Sequence, residues 1–319
     1  MNPRPKVLLT GPMDPDGERL IAEVAEVVLA PDARPDTLRR LIADADVLVV
    51  RSALPADLLD HAPRLRGIVR HGVGVDMIPM AAANARRLPV ANVPGSNRHA
   101  VAEHAIGAVS LLRRRSARMD ALLRQAGWDT SRALADSAGE LHGQVLGIVG
   151  LGEVGTRIAE IAHHGYGMRV LGHQRRLDAL PAFVDGVALD DLLARSDAVV
   201  LACPLTEATR GLLDARRLAL MPAHAVLVNV ARGAVVDEAA LVTALRERRI
   251  AGAALDVFDT QPLPADHALL TLDNVLLTPH AAGLTLQSMK RMSLGTAEAV
   301  RRLLAGQMPQ HLVNTGALR

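Results

Sequence analysis

Gly150-Leu151-Gly152-Glu153-Val154-Gly155 is the stretch that decides the fold of this chain. It follows the apolar run 144–149, which is typical of a buried strand, and it opens a helical pattern in which Val154, Ile158 and Ile161 share one face. In such a strand–turn–helix unit the first glycine permits the turn, the second lets the backbone approach a pyrophosphate, and the third lets the helix pack on the strand. Glycine turns also occur as plain structural turns, but this context favours a dinucleotide site.

The composition is that of a chain long enough for two domains, with 319 residues, of which 50% are hydrophobic, and a formal net charge of +2. The densest basic run, 113–115, lies in a helical pattern without interleaved aromatic residues, which favours a solvated helix face over nucleic-acid binding. The single cysteine, Cys203, suits a reducing compartment, and we find no apolar segment typical of a signal peptide or membrane span. We therefore expect a cytoplasmic protein without nucleic-acid or membrane partners and, for lack of a ligand cluster, without a metal.

Short apolar runs alternate with helical patterns in both halves, which predicts α/β architecture with parallel sheets covered by helices on both faces. The predicted strands are 6–10, 27–30, 46–50, 67–70, 144–149, 168–171, 198–202, 225–230, 252–255 and 274–277. The predicted helices are 17–24, 35–43, 55–61, 77–87 and a long one at 98–118, followed by a polar segment at 128–140. A last helical pattern, 284–306, fits either domain.

Four predicted strands of the second half end in residues that suit one active site. They lead into Cys203-Pro204, Arg232, Asp256 and His280. Ligands of open α/β sheets bind beyond the carboxyl ends of the strands, so we expect these residues on the same rim as the glycine turn.

Motifs along nearly the whole chain carry a family resemblance. They are 147–152, 204–206, 229–233, 254–258 and 278–280 in the second half and 71–76, 92–95 and 101–104 in the first. With these motifs in this order, the chain resembles the D-isomer-specific 2-hydroxyacid dehydrogenases. The resemblance implies two doubly wound parallel-sheet domains, a flavodoxin-like substrate domain at 1–97 and 285–319 and a Rossmann NAD(P)-binding domain at 98–284.

The resemblance also implies the catalytic roles. Arg232 would clamp the carboxylate of a 2-oxo acid with its planar fork, and His280 would exchange a proton with the reacting oxygen. Backbone N–H groups of Val73 and Gly74 would hold the same carboxylate from the other domain. Asp256 is expected near the nicotinamide.

The implied cofactor site is larger than the glycine turn. It comprises Gly150, Gly152, Glu153, Val154, Gly155, Gln174, Arg175, Arg176, Cys203, Pro204, Thr209, Val230, Asp256 and His280. The family architecture further implies a homodimer built from the helix after Pro94-Gly95 and the segment through Trp128.

The sequence departs from the family pattern beside the catalytic histidine. Most relatives carry a Glu just before the proline, where this chain has Gln261, so an amide takes the place of the carboxylate that pairs with His280. The amide oxygen still accepts the imidazole N–H but does not stabilise an imidazolium as a carboxylate would. We therefore expect reduction to be favoured at mildly acidic pH. Asp259 is an alternative partner with the wrong spacing.

A second departure lies at the cofactor ribose. The Asp expected after strand 168–171 is replaced by Gln174, and Arg175 and Arg176 follow. Loss of the carboxylate removes repulsion of a 2′-phosphate, and two guanidinium groups are available to bind one. NADP is therefore favoured over NAD, although both arginines also fit a plain solvated surface.

The leading hypothesis is NAD(P)H-dependent, reversible reduction of a small 2-oxo acid to the D-2-hydroxy acid, of the glyoxylate/hydroxypyruvate reductase type. One alternative is a formate- or phosphite-type dehydrogenase, because formate enzymes of this superfamily also use Gln at the position of Gln261. Another is a regulatory, corepressor-like binding protein. The group on the substrate's second carbon stays open: Arg51, Ser52, Arg70 and His71 suit a second anionic group or an ordinary loop.

Overall fold

The computed structural model describes residues 4–176 and 180–318. The chain forms two compact units: the first runs up to Asn97 and resumes at Leu284, and the second is Arg98–Gly283. Leu284, expected in the second domain, belongs to the first unit.

Within the described residues there are twelve strands and eleven α-helices. The strands are β1 (Lys6–Leu9), β2 (Glu26–Leu29), β3 (Val47–Val50), β4 (Gly67–Arg70), β5 (Val90–Ala91), β6 (Val145–Val149), β7 (Arg169–His173), β8 (Val184–Gly186), β9 (Ala198–Leu201), β10 (Val226–Asn229), β11 (Gly252–Leu255) and β12 (Val275–Leu277). The helices are α1 (Pro15–Ala22), α2 (Pro35–Ile42), α3 (Met80–Ala85), α4 (Arg98–Arg113), α5 (Ser116–Ala126), α6 (Trp128–Arg132), α7 (Glu153–Glu160), α8 (Leu189–Arg195), α9 (Ala215–Leu218), α10 (Glu238–Arg246) and α11 (Leu286–Leu304).

The first unit is a parallel sheet in the order β2-β1-β3-β4-β5, the flavodoxin-like doubly wound arrangement. Successive side chains of a strand point to opposite faces, so Leu8 packs on one side while Val7 and Leu9 pack on the other, and all three are fully buried. Residues of α11 share the second of these clusters with residues of α1. The last helical pattern of the sequence therefore completes the first unit.

The second unit is a seven-stranded parallel sheet in the order β12-β11-β10-β9-β6-β7-β8, which contains the Rossmann arrangement. Both faces are covered, and fully buried residues such as Ile148 and Val199 belong to the two opposite clusters. The strand order reverses between β6 and β9. Ligands of doubly wound sheets bind outside the carboxyl ends at such a switch point.

The predicted strands are present within a few residues of their expected bounds, but some other predictions were wrong. The expected long helix 98–118 is two helices, because Arg115 takes a left-handed conformation with φ of 54° between α4 and α5. The polar segment 128–140 contains α6, and the strands β5 and β8 were missed. Among the described residues, no helix is both long and apolar enough to traverse a membrane.

Candidate active site

The glycine turn lies at the carboxyl end of β6 and leads into α7. Gly150 has φ of 92°, and a Cβ there would lie 2.6 Å from the Cα of Cys203. A Cβ on Gly155 would lie 2.0 Å from the carbonyl oxygen of Gly150. A Cβ on Gly152 would meet nothing within 4 Å. The protein's own packing therefore requires glycine at 150 and 155, whereas Gly152 borders open space.

Gly152 is the residue that immediately precedes the first turn of α7. Thr156 N donates to Gly152 O at 2.9 Å, so the N–H groups of Glu153, Val154 and Gly155 precede the first bond of the helical ladder. Such N–H groups and the positive end of the helix dipole attract anions. These residues fit a dinucleotide diphosphate. A side chain at position 152 would occupy space that the diphosphate needs.

The turn is tied to the end of β7, where the second departure from the family pattern lies. Gly150 N donates to His173 O at 2.9 Å. Gln174 donates from Nε2 to the carbonyl of Arg176 at 2.8 Å, and the side chains of Arg175 and Arg176 are exposed. Residues 177–179 lie outside the described residues. An amide and two exposed guanidinium groups thus stand at the position expected for the cofactor ribose.

The end of β9 supplies a short turn beside the glycine turn. Cys203 is buried, and burial raises the pKa of its thiol, which leaves it a poor nucleophile. The Thr209 hydroxyl donates to Pro204 O at 2.7 Å and accepts from Thr206 N at 2.7 Å. The contacts of this turn with a cofactor stay a prediction, as does the contact of Val230, which follows β10.

Arg232 lies just after β10 in a turn that is held by Asn229, a residue for which the sequence indicated no role. The buried side chain of Asn229 accepts from Ala231 N at 3.0 Å and donates to Arg232 O at 3.0 Å. Arg232 itself donates from Nη1 to Ala231 O at 2.7 Å. A Cβ on Gly233 would lie 2.0 Å from the carbonyl carbon of Phe258, so the turn is packed against the segment that leads to Gln261.

His280 is paired with Gln261. Its Nδ1 lies 2.9 Å from Gln261 Oε1, and Gln261 Nε2 donates to Phe258 O at 3.1 Å. The carbonyl of Phe258 can only accept a hydrogen bond, so the amide nitrogen of Gln261 faces it and the amide oxygen faces the imidazole. Because that oxygen also can only accept, the hydrogen of a neutral ring is on Nδ1. Nε2 is then the nitrogen of the neutral ring that carries no hydrogen. His280 has φ of 54°.

Asp256 anchors the segment that carries His280. Asp256 is only 3% exposed, and its carboxylate accepts from Thr278 Oγ1 at 2.6 Å, Ala281 N at 2.8 Å and Ala282 N at 3.0 Å. Its backbone oxygen accepts from His280 N at 2.8 Å. The structure thus gives Asp256 a positioning role that we did not predict, and its predicted contact with the nicotinamide stays a prediction.

In the first unit, the loop with Val73 and Gly74 is held through its carbonyl groups. Arg70 Nε donates to Gly74 O at 2.9 Å, and Asn92 Nδ2 donates to Val73 O at 2.8 Å. Arg70 Nη1 also donates to His71 O at 2.6 Å. The loop is therefore well supported, and its predicted role in carboxylate binding stays a prediction.

His71 is buried inside the first unit. Its Nε2 lies 2.8 Å from Ser293 Oγ, which accepts from Asp14 N at 2.8 Å. Burial, with a smaller contribution from the charges of Arg51 and Arg70, lowers the pKa of His71 to about 3. The imidazole is neutral at physiological pH and contacts α11 through Ser293, and the Ser293 hydroxyl ties α11 to the start of α1. The guanidinium of Arg51 is half-buried, and burial lowers its pKa.

Known proteins resemble this chain in sequence. Residues 106–282 match the family model described as "D-isomer specific 2-hydroxyacid dehydrogenase, NAD binding domain". The chain is 38% identical over 315 residues to a D-3-phosphoglycerate dehydrogenase of Methanocaldococcus jannaschii, covering 97% of this chain and 59% of that protein. It is 37% identical over 328 residues to a glyoxylate reductase of Thermofilum pendens, covering 99% and 96%. The chain thus spans nearly the whole length of the second relative but less than two thirds of the first.

A solved structure gives the same similarity in three dimensions. The NADPH-dependent glyoxylate/hydroxypyruvate reductase of Sinorhizobium meliloti, in complex with NADP and malonate, matches with a TM-score of 0.85 and 30% sequence identity. The match covers 98% of this chain and 97% of that one.

Proposed function

Because the chain belongs to the D-isomer specific 2-hydroxyacid dehydrogenases, a family of NAD(P)-dependent oxidoreductases, we propose that it reduces a small 2-oxo acid to the D-2-hydroxy acid. The observation that carries the proposal is the His280–Gln261 pair. Gln261 follows β11 and His280 follows β12, at the carboxyl edge of the sheet that also carries Arg232 after β10 and the glycine turn after β6. A glyoxylate reductase that this chain matches almost end to end points to a substrate of that size.

The proposed chemistry divides between Arg232 and His280. Bound NADPH would supply the hydride. Arg232 binds the substrate carboxylate, because a guanidinium donates two parallel hydrogen bonds to a carboxylate. Protonated His280 gives its proton from Nε2 to the carbonyl oxygen and takes one back in the reverse direction. Gln261 keeps the ring in the required orientation.

We further propose NADP as the preferred cofactor. Gln174 brings no negative charge to the ribose position, and the exposed Arg175 and Arg176 can donate to a 2′-phosphate. The Sinorhizobium meliloti enzyme was solved with NADP. Replacing Gln174 by aspartate is expected to lower the NADPH-over-NADH ratio of kcat/KM by about tenfold, because the new carboxylate repels a 2′-phosphate.

A spectrophotometric assay tests the proposed function. The purified chain is mixed with NADPH or NADH and a panel of 2-oxo acids that includes glyoxylate and hydroxypyruvate, and chiral chromatography identifies the product. We expect turnover with a D product wherever the product is chiral. Arg232→Gln should mainly raise KM for the 2-oxo acid, and His280→Gln should mainly lower kcat. Absence of turnover over the whole panel, with both cofactors, would refute the proposal.

Gln261 supports a second candidate, oxidation of formate or phosphite with NADP⁺ or NAD⁺. An amide partner suffices to orient His280 where a substrate such as formate needs no proton transfer. The reverse assay, with formate or phosphite as the hydride donor, distinguishes this candidate by which panel gives turnover.

We also propose a homodimer. None of the residues of α5 is buried, and two large apolar side chains are exposed in this region. Leu123 on α5 is 46% exposed, and Trp128 at the start of α6 is 71% exposed. Large apolar side chains on adjacent helices indicate a covered surface, and a second copy of the chain is the expected partner. Light scattering should give twice the chain mass, and Trp128→Glu should give the monomer mass.

A further inference from the structure

The helix that faces the proposed diphosphate begins with an acidic residue. Glu153 is the first residue of α7 and its side chain is 58% exposed. A carboxylate at this position stabilises the helix through its dipole, but it also repels a phosphate that approaches the same N–H groups. On its own, Glu153 would lower the affinity for any dinucleotide.

Arg98 offsets this charge from a neighbouring helix. Its Nη1 lies 2.8 Å from Glu153 Oε2, so the guanidinium reaches the first turn of α7. Arg98 is the first residue of α4, where the helix dipole disfavours a cation, and the first turn of α4 has no acidic residue of its own. Within α4, Arg98 Nε donates to the neighbouring His99 Nε2 at 3.4 Å, a long hydrogen bond that does little to favour an arginine at this position. A role at α7 gives a reason for it.

We propose that Arg98 binds the cofactor diphosphate and that Glu153 holds its guanidinium beside the glycine turn when no dinucleotide is bound. This inference rests on the proposed function, which requires a dinucleotide at α7. Two features support it: Gly152 borders open space at this turn, and the ion pair holds a guanidinium at the first residue of α7. A guanidinium has five N–H donors, so one contact with Glu153 leaves donors for phosphate oxygens.

The competing explanation is that Arg98 only neutralises Glu153. Both explanations predict weaker binding when Arg98 is replaced, because Glu153 is then left uncompensated. They differ once Glu153 is also replaced. A purely compensating Arg98 has no effect in a Glu153→Gln background, whereas a phosphate-binding Arg98 still contributes.

The test is a double-mutant cycle on the dissociation constants of NADPH and NADH, measured by cofactor fluorescence with the full chain. We expect Glu153→Gln to tighten binding about three- to tenfold and Arg98→Gln to weaken it about tenfold. The double variant should bind about tenfold more weakly than Glu153→Gln alone. NADPH and NADH should respond alike, since both carry the diphosphate, and thermal unfolding without dinucleotide checks that each variant folds.

Matched controls come from the other end of the same helix. Arg157 and Glu160 form an ion pair at 2.8 Å, so Arg157→Gln and Glu160→Gln make the same changes in net charge away from the turn. Their dissociation constants should change less than those of the Arg98 and Glu153 variants, because Arg157 and Glu160 lie about 6 and 10 Å from Glu153 along the helix axis, a distance comparable with the screening length of about 10 Å. ADP, which has the diphosphate but no nicotinamide, should show the same pattern in competition with NADPH.

The outcomes separate the two proposals. If the double variant binds as tightly as Glu153→Gln, Arg98 only compensates a charge and the inference is wrong, while the proposed function stands. If the response is confined to NADPH, the guanidinium contacts the 2′-phosphate and the inference is again wrong. If the folded wild type binds neither dinucleotide, the proposed function fails and the inference fails with it.

Discussion

Replacing Asp256 by asparagine should loosen the segment that carries His280. The aspartate oxygens accept three hydrogen bonds: Oδ1 takes Thr278 Oγ1 and Ala281 N, and Oδ2 takes Ala282 N. Asparagine keeps one acceptor oxygen. With that oxygen in the place of Oδ1, its amide group faces the N–H of Ala282, and the side chain is 3% exposed, so water does not replace the lost bond.

The magnitude follows from this count. Losing one charge-assisted hydrogen bond in a buried site costs about 1.5–3 kcal/mol, so we expect the free energy of unfolding to fall by about 2 kcal/mol. Because Ala281 and Ala282 directly follow His280, the imidazole loses part of its fixed orientation. A loss of about 1.4 kcal/mol in the transition state corresponds to a tenfold lower kcat.

Urea unfolding measures the change in the free energy of unfolding, and steady-state kinetics measures the change in kcat. Direct titration with NADPH then distinguishes a positioning role of Asp256 from the contact with the nicotinamide that the sequence predicts. A positioning role leaves the NADPH dissociation constant within about twofold of the wild type while stability and kcat fall. Asp237→Asn is the control, because this exposed aspartate caps α10 through Ala240 N, and its replacement should leave kcat unchanged. Unchanged stability together with weakened NADPH binding would refute the positioning role.

Three further predictions concern the glycine turn, the buried histidine and the His280–Gln261 pair. Gly152→Ala should fold like the wild type but bind NADPH at least about tenfold more weakly by fluorescence, since its Cβ meets only open space, whereas Gly155→Ala should unfold readily in urea. The pKa of His71 is about 3 in the folded state, below the ordinary value near 6.5, so between these pH values only the unfolded chain takes up a proton at His71. The contribution of the neutral imidazole to the free energy of unfolding is therefore complete above about pH 6.5 and is lost as the pH falls toward 3. Unfolding between pH 7 and pH 5 should show a loss of about 2 kcal/mol that His71→Asn lacks. Gln261→Glu should extend 2-oxo acid reduction to higher pH, and an unchanged pH–rate profile would contradict the role given to the amide.

The strands could be predicted because parallel sheets buried on both faces leave a strong signal. Every residue of β3 is buried, so the run Val47–Val50 is apolar throughout. The edge strand β8, Val184–Gly186, leaves no such signal, because its Asp185 and Gly186 are exposed. Burial on both faces made central strands such as β3 visible in the sequence, whereas β5 is buried but has only two residues, too few for a pattern.

The break between α4 and α5 could not be predicted for a different reason. The amphipathic pattern continues through 113–116 without glycine or proline, and Arg115 nevertheless adopts φ of 54°. A left-handed arginine has no sequence signature, since only glycine and, less often, asparagine or aspartate adopt this conformation routinely. Helical periodicity therefore predicted two helices as one.

At the candidate site, motifs located the residues but did not reveal their internal partners. The sequence leads to Asp256 and Arg232 as ligand-facing groups, because each follows a strand at the carboxyl edge. That Asp256 holds the backbone after His280, and that Asn229 holds the turn of Arg232, depends on loop conformations that spacing does not specify. The signal that was available is their burial: polar residues at the ends of apolar strands need hydrogen-bond partners.

The distribution of charge around the proposed dinucleotide site connects the two departures from the family pattern. Amides stand at Gln174 and Gln261, where carboxylates are expected, while a carboxylate stands at Glu153, where a phosphate is expected. The first change removes repulsion from a 2′-phosphate, and the second removes support for an imidazolium. The third adds repulsion at the diphosphate, which both NAD and NADP carry, so it cannot contribute to choosing between them. We therefore expect cofactor choice to be decided at the end of β7, and the proposed Arg98 contact to set only the affinity that the two cofactors share.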